Sequence, residues 1–173
     1  MSEKIRGEDL KGLKNLRANL VKLAQMRVKV GVLGGNYPNG QSIASVAALH
    51  EFGSETPRTF MYKGKKITVK GIPTRSFLRA PLRAKIKKLS RMDEVDKGMM
   101  LEGLKTGYVH FPLYRLGLKG VAIVQEAFDT RGYGQWPANI SEEYIELKGS
   151  DAPLIDQGLL RQSIASEVYK KGS

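Results

Sequence analysis

Ser42-Ile-Ala-Ser-Val-Ala-Ala-Leu-His-Glu-Phe-Gly53 and Ile72-Pro-Thr-Arg-Ser-Phe-Leu-Arg-Ala-Pro-Leu82, with the short basic segment between them, organise this chain. The first part reads as a helix. Ser42 can cap it, Ile43, Val46, Ala47 and Leu49 crowd one side, and Gly53 stands where a left-handed C-terminal cap belongs. The second part reads as extended, because Pro73 biases Ile72 towards β geometry and Arg75 and Phe77 point the same way from alternate positions. Pro81 then suits the first turn of a new helix, where its missing N–H costs nothing. Between the two parts, Thr59–Tyr62 and Lys66–Lys70 read as a hairpin turning through Lys63-Gly64-Lys65. The predicted order is helix, hairpin, strand, helix.

This region also holds the charge. From Arg58 to Arg91 there are twelve Lys or Arg and no Asp or Glu, while the rest of the chain balances at 17 basic against 17 acidic residues. The whole +12 excess is local, which implies a basic surface presented to something. Arg58, Lys63, Lys65, Lys66, Lys70, Arg79, Arg83 and Lys87 are the candidate docking residues. Phe60, Tyr62 and Phe77 are interleaved with them and could stack bases between phosphate contacts. No helix-turn-helix, RRM, KH or zinc-finger signature accompanies them, and an acidic protein surface matches the charge equally well.

Outward from there, Leu10, Leu13, Leu16, Leu20 and Leu23 give Leu10 to Ala24 one apolar stripe, predicting a helix that covers a sheet. Arg27 to Leu33 alternates as a half-buried strand and runs into the loop Gly34 to Gly40. Ser90 and Asp93 resemble a capping box opening a helix to Thr106, shortened or loosened by Gly98, Gly103 and Gly107. A further helix spans Phe111 to Phe128, with Gly117 and Gly120 permitting close backbone packing. Thr130 to Ala138 is an irregular segment holding Trp136, the only tryptophan, which is expected to pack under the loop Pro153–Gly158. Ser141 opens a short helix ending near Gly149, a helical turn covers Leu159–Arg161, and Ser163–Tyr169 is the final strand.

At 173 residues and 41% hydrophobic content the chain suits one α+β domain, with a small, mostly antiparallel sheet packed on helices and an extended basic hairpin. Its parts are an N-terminal helix (1–25), a strand–helix–hairpin–strand core (26–90), a helical insert (91–130), and a Trp loop with short helices and a C-terminal strand (131–173). Zero cysteines exclude disulfides, thiolate metal sites and cysteine nucleophiles. The first residues lack the apolar run of a signal peptide, and none approaches the roughly 20 residues of a spanning helix, so a soluble protein is expected. His50 and His110 lack zinc-ligand spacing, Gly31, Gly34 and Gly35 do not form a dinucleotide fingerprint, and Ser163 and Ser166 lack a nucleophile elbow. Hence no catalytic, cofactor or metal residue is assigned, and a non-enzymatic protein is expected.

Three stretches resemble one family, the bacteriophage tail-component or virion-morphogenesis proteins of tail completion and head–tail joining. The Val-Gly-Val-Leu strand followed by Ala47-Ala-Leu-His-Glu-Phe-Gly53 resembles the family's "HEFG" helix end, which marks Glu51, Phe52 and Gly53. Ile72 to Leu82 resembles its "IPxRxFLRP" strand-to-helix turn, which marks Pro73, Arg75, Phe77 and Leu78. Leu116-Gly117, Gly120, Gln125, Gly134-Gln-Trp-Pro137, Lys148 and Pro153 to Ile164 resemble its "WP…K…LIDTGxLxxSI" ending, which marks Trp136, Pro137, Asp156, Gly158 and Ile164. Gln157 departs from the usual threonine, and Ala138-Asn139 departs from a proline-rich continuation. The resemblance implies a structural ring subunit, sixfold in the virion neck or tail and assembled in the host bacterial cytoplasm. Its partners would be copies of itself and neighbouring tail-tube, terminator or connector proteins, with no membrane. The alternative is a DNA-binding protein using the 58–91 block, or contact with DNA passing through the neck.

Overall fold

The computed structural model describes residues 7–137, 142–149, 151, 154 and 158–172. Along the chain run α1 (Gly7–Ala24), β1 (Met26–Val32), α2 (Ile43–Phe52), β2 (Arg58–Tyr62), β3 (Lys65–Val69), α3 (Arg79–Ala84) and α4 (Ile86–Ser90). There follow α5 (Glu94–Thr106), α6 (His110–Asp129), α7 (Glu142–Lys148), α8 (Leu159–Gln162) and β4 (Ile164–Lys170). The architecture is α+β, with two separate two-stranded antiparallel sheets, β1–β4 and β2–β3.

The β1–β4 pair joins the two ends of the described chain, from Met26 opposite Lys170 to Val32 opposite Ile164. Alternation gives it two unlike faces. Lys29 and Glu167, directly opposed, form an ion pair of 3.0 Å on the wet side, where the Lys29 ammonium also lies 5.4 Å from the Tyr169 ring centre. On the other side, Val28 and Val30 meet α6, and the approach is close because α6 offers glycines there. A Cβ on Gly117 would stand 2.6 Å from Ser166 Oγ, and one on Gly120 would stand 2.8 Å from Val30 Cγ2. The same helix carries Ile123, Val124, Ala127 and Phe128 into the core, where Phe77, Ile43, Ala47, Leu160 and Ile164 join the last two turns.

Several boundaries and roles differ from the sequence expectations. α1 does not cover a sheet, because the glycine face of α6 occupies that position; α1 lies on α5 instead. Asn19 Nδ2 donates to Leu104 O (2.7 Å) and Lys22 Nζ to Gly107 O (3.1 Å), and Leu10, Leu13, Leu16 and Leu20 stay exposed. α5 starts at Asp93, whose carboxylate accepts from Asp96 N while Asp96 returns the bond to Asp93 N. Ser90 has no part in that box; its hydroxyl bonds back to Ile86 O (2.9 Å), closing α4.

The expected strand at Ile72–Leu82 is reduced to one bridge, Ser54 with Ile72. Pro73 has no N–H to give, and the donors after it are taken elsewhere: Arg75 N by His50 O (2.7 Å) and Leu78 N by Glu51 (3.0 Å). Gly53 does cap α2, its N–H donating to Leu49 O (2.8 Å), but with φ of 75° and ψ of 177° it sits in a region open essentially to glycine rather than in the left-handed helical one. The hairpin turns through two residues, not three: Lys63 and Gly64 both have positive φ and Tyr62 pairs with Lys65. Trp136 stands edge-on to Phe128, with centroids 5.5 Å apart and planes at 84°. Its expected cover, Pro153–Gly158, lies mostly outside the described residues, as do Asp156 and Ser141. Leu154, which is described, packs on the same core.

The same substitution at two helical glycines should have opposite signs. Gly98 in α5 has open space around an added Cβ, so Gly98→Ala should stabilise by up to about 1 kcal/mol through helix propensity. Gly117→Ala gains the same propensity but forces Ser166 and β4 away, a cost of roughly 1–3 kcal/mol, so it should be net destabilising. Denaturant melts decide this; a Gly117→Ala protein as stable as wild type would show that α6 can retreat from the sheet.

Candidate functional site

The first two family-like stretches meet at one carboxylate. Glu51, in the last turn of α2, is 4% exposed. Its oxygens accept from Ser76 Oγ (2.7 Å), Leu78 N (3.0 Å), Arg79 N (3.0 Å) and Arg79 Nε (2.9 Å). α3 has no capping side chain of its own, so Glu51 supplies the acceptors that its first N–H groups lack. Ser76 completes the cap, because its Oγ also accepts from Ala80 N (3.0 Å). Burial alone would raise the Glu51 carboxyl, but donors from Ser76, Leu78 and Arg79 outweigh it and hold the group below its ordinary value. Phe52 faces outward and carries the Arg79 guanidinium on its ring at 4.3 Å. Gly53 is required by space: a Cβ there would lie 2.6 Å from Thr74 Oγ1 and 3.0 Å from Ile72 O.

The third stretch enters through Arg75 and Phe77. Arg75 is 2% exposed and its Nε donates to Pro137 O (2.9 Å). Phe77 packs on Phe128 at 5.2 Å between ring centres, and Phe128 in turn meets Trp136. Leu78 and Ile164 belong to the same core, Pro73 follows the Ser54–Ile72 bridge, and Gly158, at positive φ, begins α8. Thus motif residues far apart in sequence are joined by bonds and ring contacts, and these side chains are committed to holding α2, α3 and α6 together.

Docking candidates divide differently. Arg58, Lys65, Lys66 and Lys70 on the hairpin, with Arg83 and Lys87 on α3 and α4, are exposed. Arg79 is bound to Glu51 and Phe52, and Lys63 donates to Leu147 O (2.6 Å) in the last turn of α7. Arg75 is inside, and Lys85 is paired with Glu126 (2.5 Å). Of the aromatic residues interleaved with the charge, Phe77 is buried and unavailable for stacking.

Beside the hairpin lies a cleft of about 1050 Å³, which sequence reading missed. One wall is Arg58 to Lys63, and the other includes Tyr37, Val46, Leu49 and His50, with Arg75, Lys148 and Leu154 also contributing. His50 Nδ1 is buried with no hydrogen-bonding partner among the described residues. Burial, with Arg75 and Lys148 nearby, lowers its pKa to about 4, so the imidazole is neutral at pH 7. His110 is elsewhere, stacked on Phe111 at 4.6 Å. Among the described residues no group of three or more His, Asp or Glu could hold a metal ion, and no helix is long and apolar enough to cross a membrane.

Glu51→Ala should cost roughly 1–3 kcal/mol, because it leaves the partly buried donors around it without their acceptor. A loss below about 1 kcal/mol would mean that α3 keeps its first turn without the carboxylate. Acid should act through both neighbours. The folded His50 value of about 4 lies below the ordinary 6.5, so the unfolded chain binds this proton first and stability falls as pH drops from 6.5 towards 4. Glu51 adds a loss at lower pH, since its depressed carboxyl contributes stability above 4.5 that disappears as it protonates. His50→Gln should flatten the upper limb of the melting-temperature profile; an unchanged limb would show that His50 is solvated. Compared with known proteins, this chain matches no family model, no curated protein and no solved structure.

Proposed function

We propose that this chain is a non-enzymatic structural subunit of a tailed-bacteriophage neck or tail end, acting in tail completion or head–tail joining. Copies form a ring, sixfold to match the tail, and the ring meets tail-tube, terminator or connector neighbours in the virion. One observation carries this proposal: the three stretches that resemble the family converge in space on Glu51, Arg75 and the Phe77–Phe128–Trp136 contacts. Residues used in this way build a scaffold, and what they leave facing outward is charge. Lys65, Lys66 and Lys70 stand exposed on a hairpin that is joined to the scaffold at its base. Such a surface suits docking on an acidic protein neighbour, which would relieve self-repulsion within the basic block and steer association.

Lys65, Lys66 and Lys70 changed together to Gln should melt like wild type, since exposed charges contribute little to stability. The same triple variant should fail to complement a phage lacking the protein, leaving filled heads and tails unjoined in negative-stain images. Normal phage yield would sink the docking role. DNA contact is the competing outcome, and salt separates it: phosphate binding falls with a log–log slope of about −0.9 per contact on duplex DNA, whereas protein docking gives little affinity for free DNA.

A further inference from the structure

The two-residue turn of the hairpin fixes which backbone groups of β2 are in use. Tyr62 is registered with Lys65, Phe60 with Ile67 and Arg58 with Val69. In such a hairpin the pair flanking the turn exchanges both hydrogen bonds, and bonded and non-bonded pairs then alternate. Tyr62, Phe60 and Arg58 therefore direct their backbone groups to β3. Thr59 and Met61 direct theirs to the opposite edge, where no described residue pairs with them. Thr59 uses only its hydroxyl, 3.0 Å from that of Thr68, and Met61 is 66% exposed.

That edge runs along the 1050 Å³ cleft. A strand that turns a face to a cavity contributes every second residue, yet Arg58, Thr59, Phe60, Met61, Tyr62 and Lys63 all line this one. Its edge, then, is what borders the space. The volume reaches the top of the roughly 300–1,000 Å³ range of small-molecule sites, which leaves room for a segment of chain. The charged lining residues, Arg58, Lys63, Arg75 and Lys148, are all cationic, and no described carboxylate lines the cleft.

We propose that β2 accepts an extended acidic segment of another protein, which adds as a strand along the Thr59–Met61 edge. This rests on the docking role above and names the chemistry of its partner. Main-chain bonds at Thr59 and Met61 hold the segment, alternate side chains enter the cleft against Leu49 and Val46, and carboxylates meet Arg58 at the rim. A second copy of this chain is a poor occupant. Its net charge is +12, and its acidic cluster Glu142, Glu143 and Glu146 is helical in α7.

The test titrates the full-length protein with a fluorescein-labelled octapeptide of alternating Glu and Val, and with the same peptide N-methylated throughout. Strand addition predicts binding of the first and a loss of roughly tenfold or more, about 1.4 kcal/mol, for the second. Met61→Pro removes the outward N–H without removing a β2–β3 bond, because proline is tolerated at outward positions of an edge strand. It should lose binding to a similar degree, while Met61→Ala should retain it. Equal binding of the two peptides, or full binding by a folded Met61→Pro protein, overturns strand addition while leaving charge-based docking intact. No binding of either peptide also overturns it, and phage yield from the triple lysine variant then judges docking separately. Should Met61→Pro fail to fold, the methylated peptide against wild-type protein still decides.

Discussion

A buried carboxylate at the end of α2 is the constraint on which the surrounding structure depends. Glu51 is nearly inaccessible, and a charge taken out of water is costly unless it is fully bonded. Here it receives four donors, two of them backbone N–H groups at the start of α3. One residue therefore ends one helix, starts another and fixes the path of residues 72–78 between the hairpin and α3. Because that path is held by side-chain and backbone bonds to α2, it needs no strand partner beyond the Ser54–Ile72 bridge.

Two-stranded sheets are marginal by themselves, and each pair here is supported in its own way. β1–β4 leans on α6, whose Gly117 and Gly120 allow near backbone contact with Ser166 and Val30. The β2–β3 pair buries Ile67 and Val69, is anchored at its base next to the Ser54–Ile72 bridge, and is tied to α7 through Lys63. That arrangement keeps one edge of β2 accessible without leaving the hairpin unsupported. It also explains how a lysine-rich loop can have a defined position.

The twelve basic residues between Arg58 and Arg91 do three kinds of work. Arg75 ties the segment before α3 to Pro137, and Arg79 and Lys85 are paired with Glu51 and Glu126. Lys63 positions the hairpin. The exposed remainder, from Arg58 on β2 to Arg91 just beyond α4, generates the field that a partner would feel. Local charge in the sequence thus overstates the number of cations available for docking.

Most helices, the hairpin, the first and last strands and the fold class were legible in the sequence because they rest on local chemistry, whereas the strand expected at Ile72–Leu82 came down to one bridge. Ser42 caps α2, the 27–33 alternation gives β1, and the glycines of α6 announce close packing. The motif residues Glu51, Arg75, Phe77 and Trp136 were also identifiable, but not what joins them: their partners lie up to 62 positions away, and no periodicity reports such a distance. Tertiary structure alone decided that α1 rests on α5 and leaves Leu10, Leu13, Leu16 and Leu20 exposed, because another helix with smaller residues fits the sheet better. It also decided the hairpin register. A turn through Lys63, Gly64 and Lys65 would pair Tyr62 with Lys66, whereas the two-residue turn pairs Tyr62 with Lys65 and thereby sets which β3 residues face the core. A single residue of register would move the β3 side chains to the opposite face, and the positive φ at both Lys63 and Gly64 closes the two-residue turn that leaves Ile67 and Val69 buried.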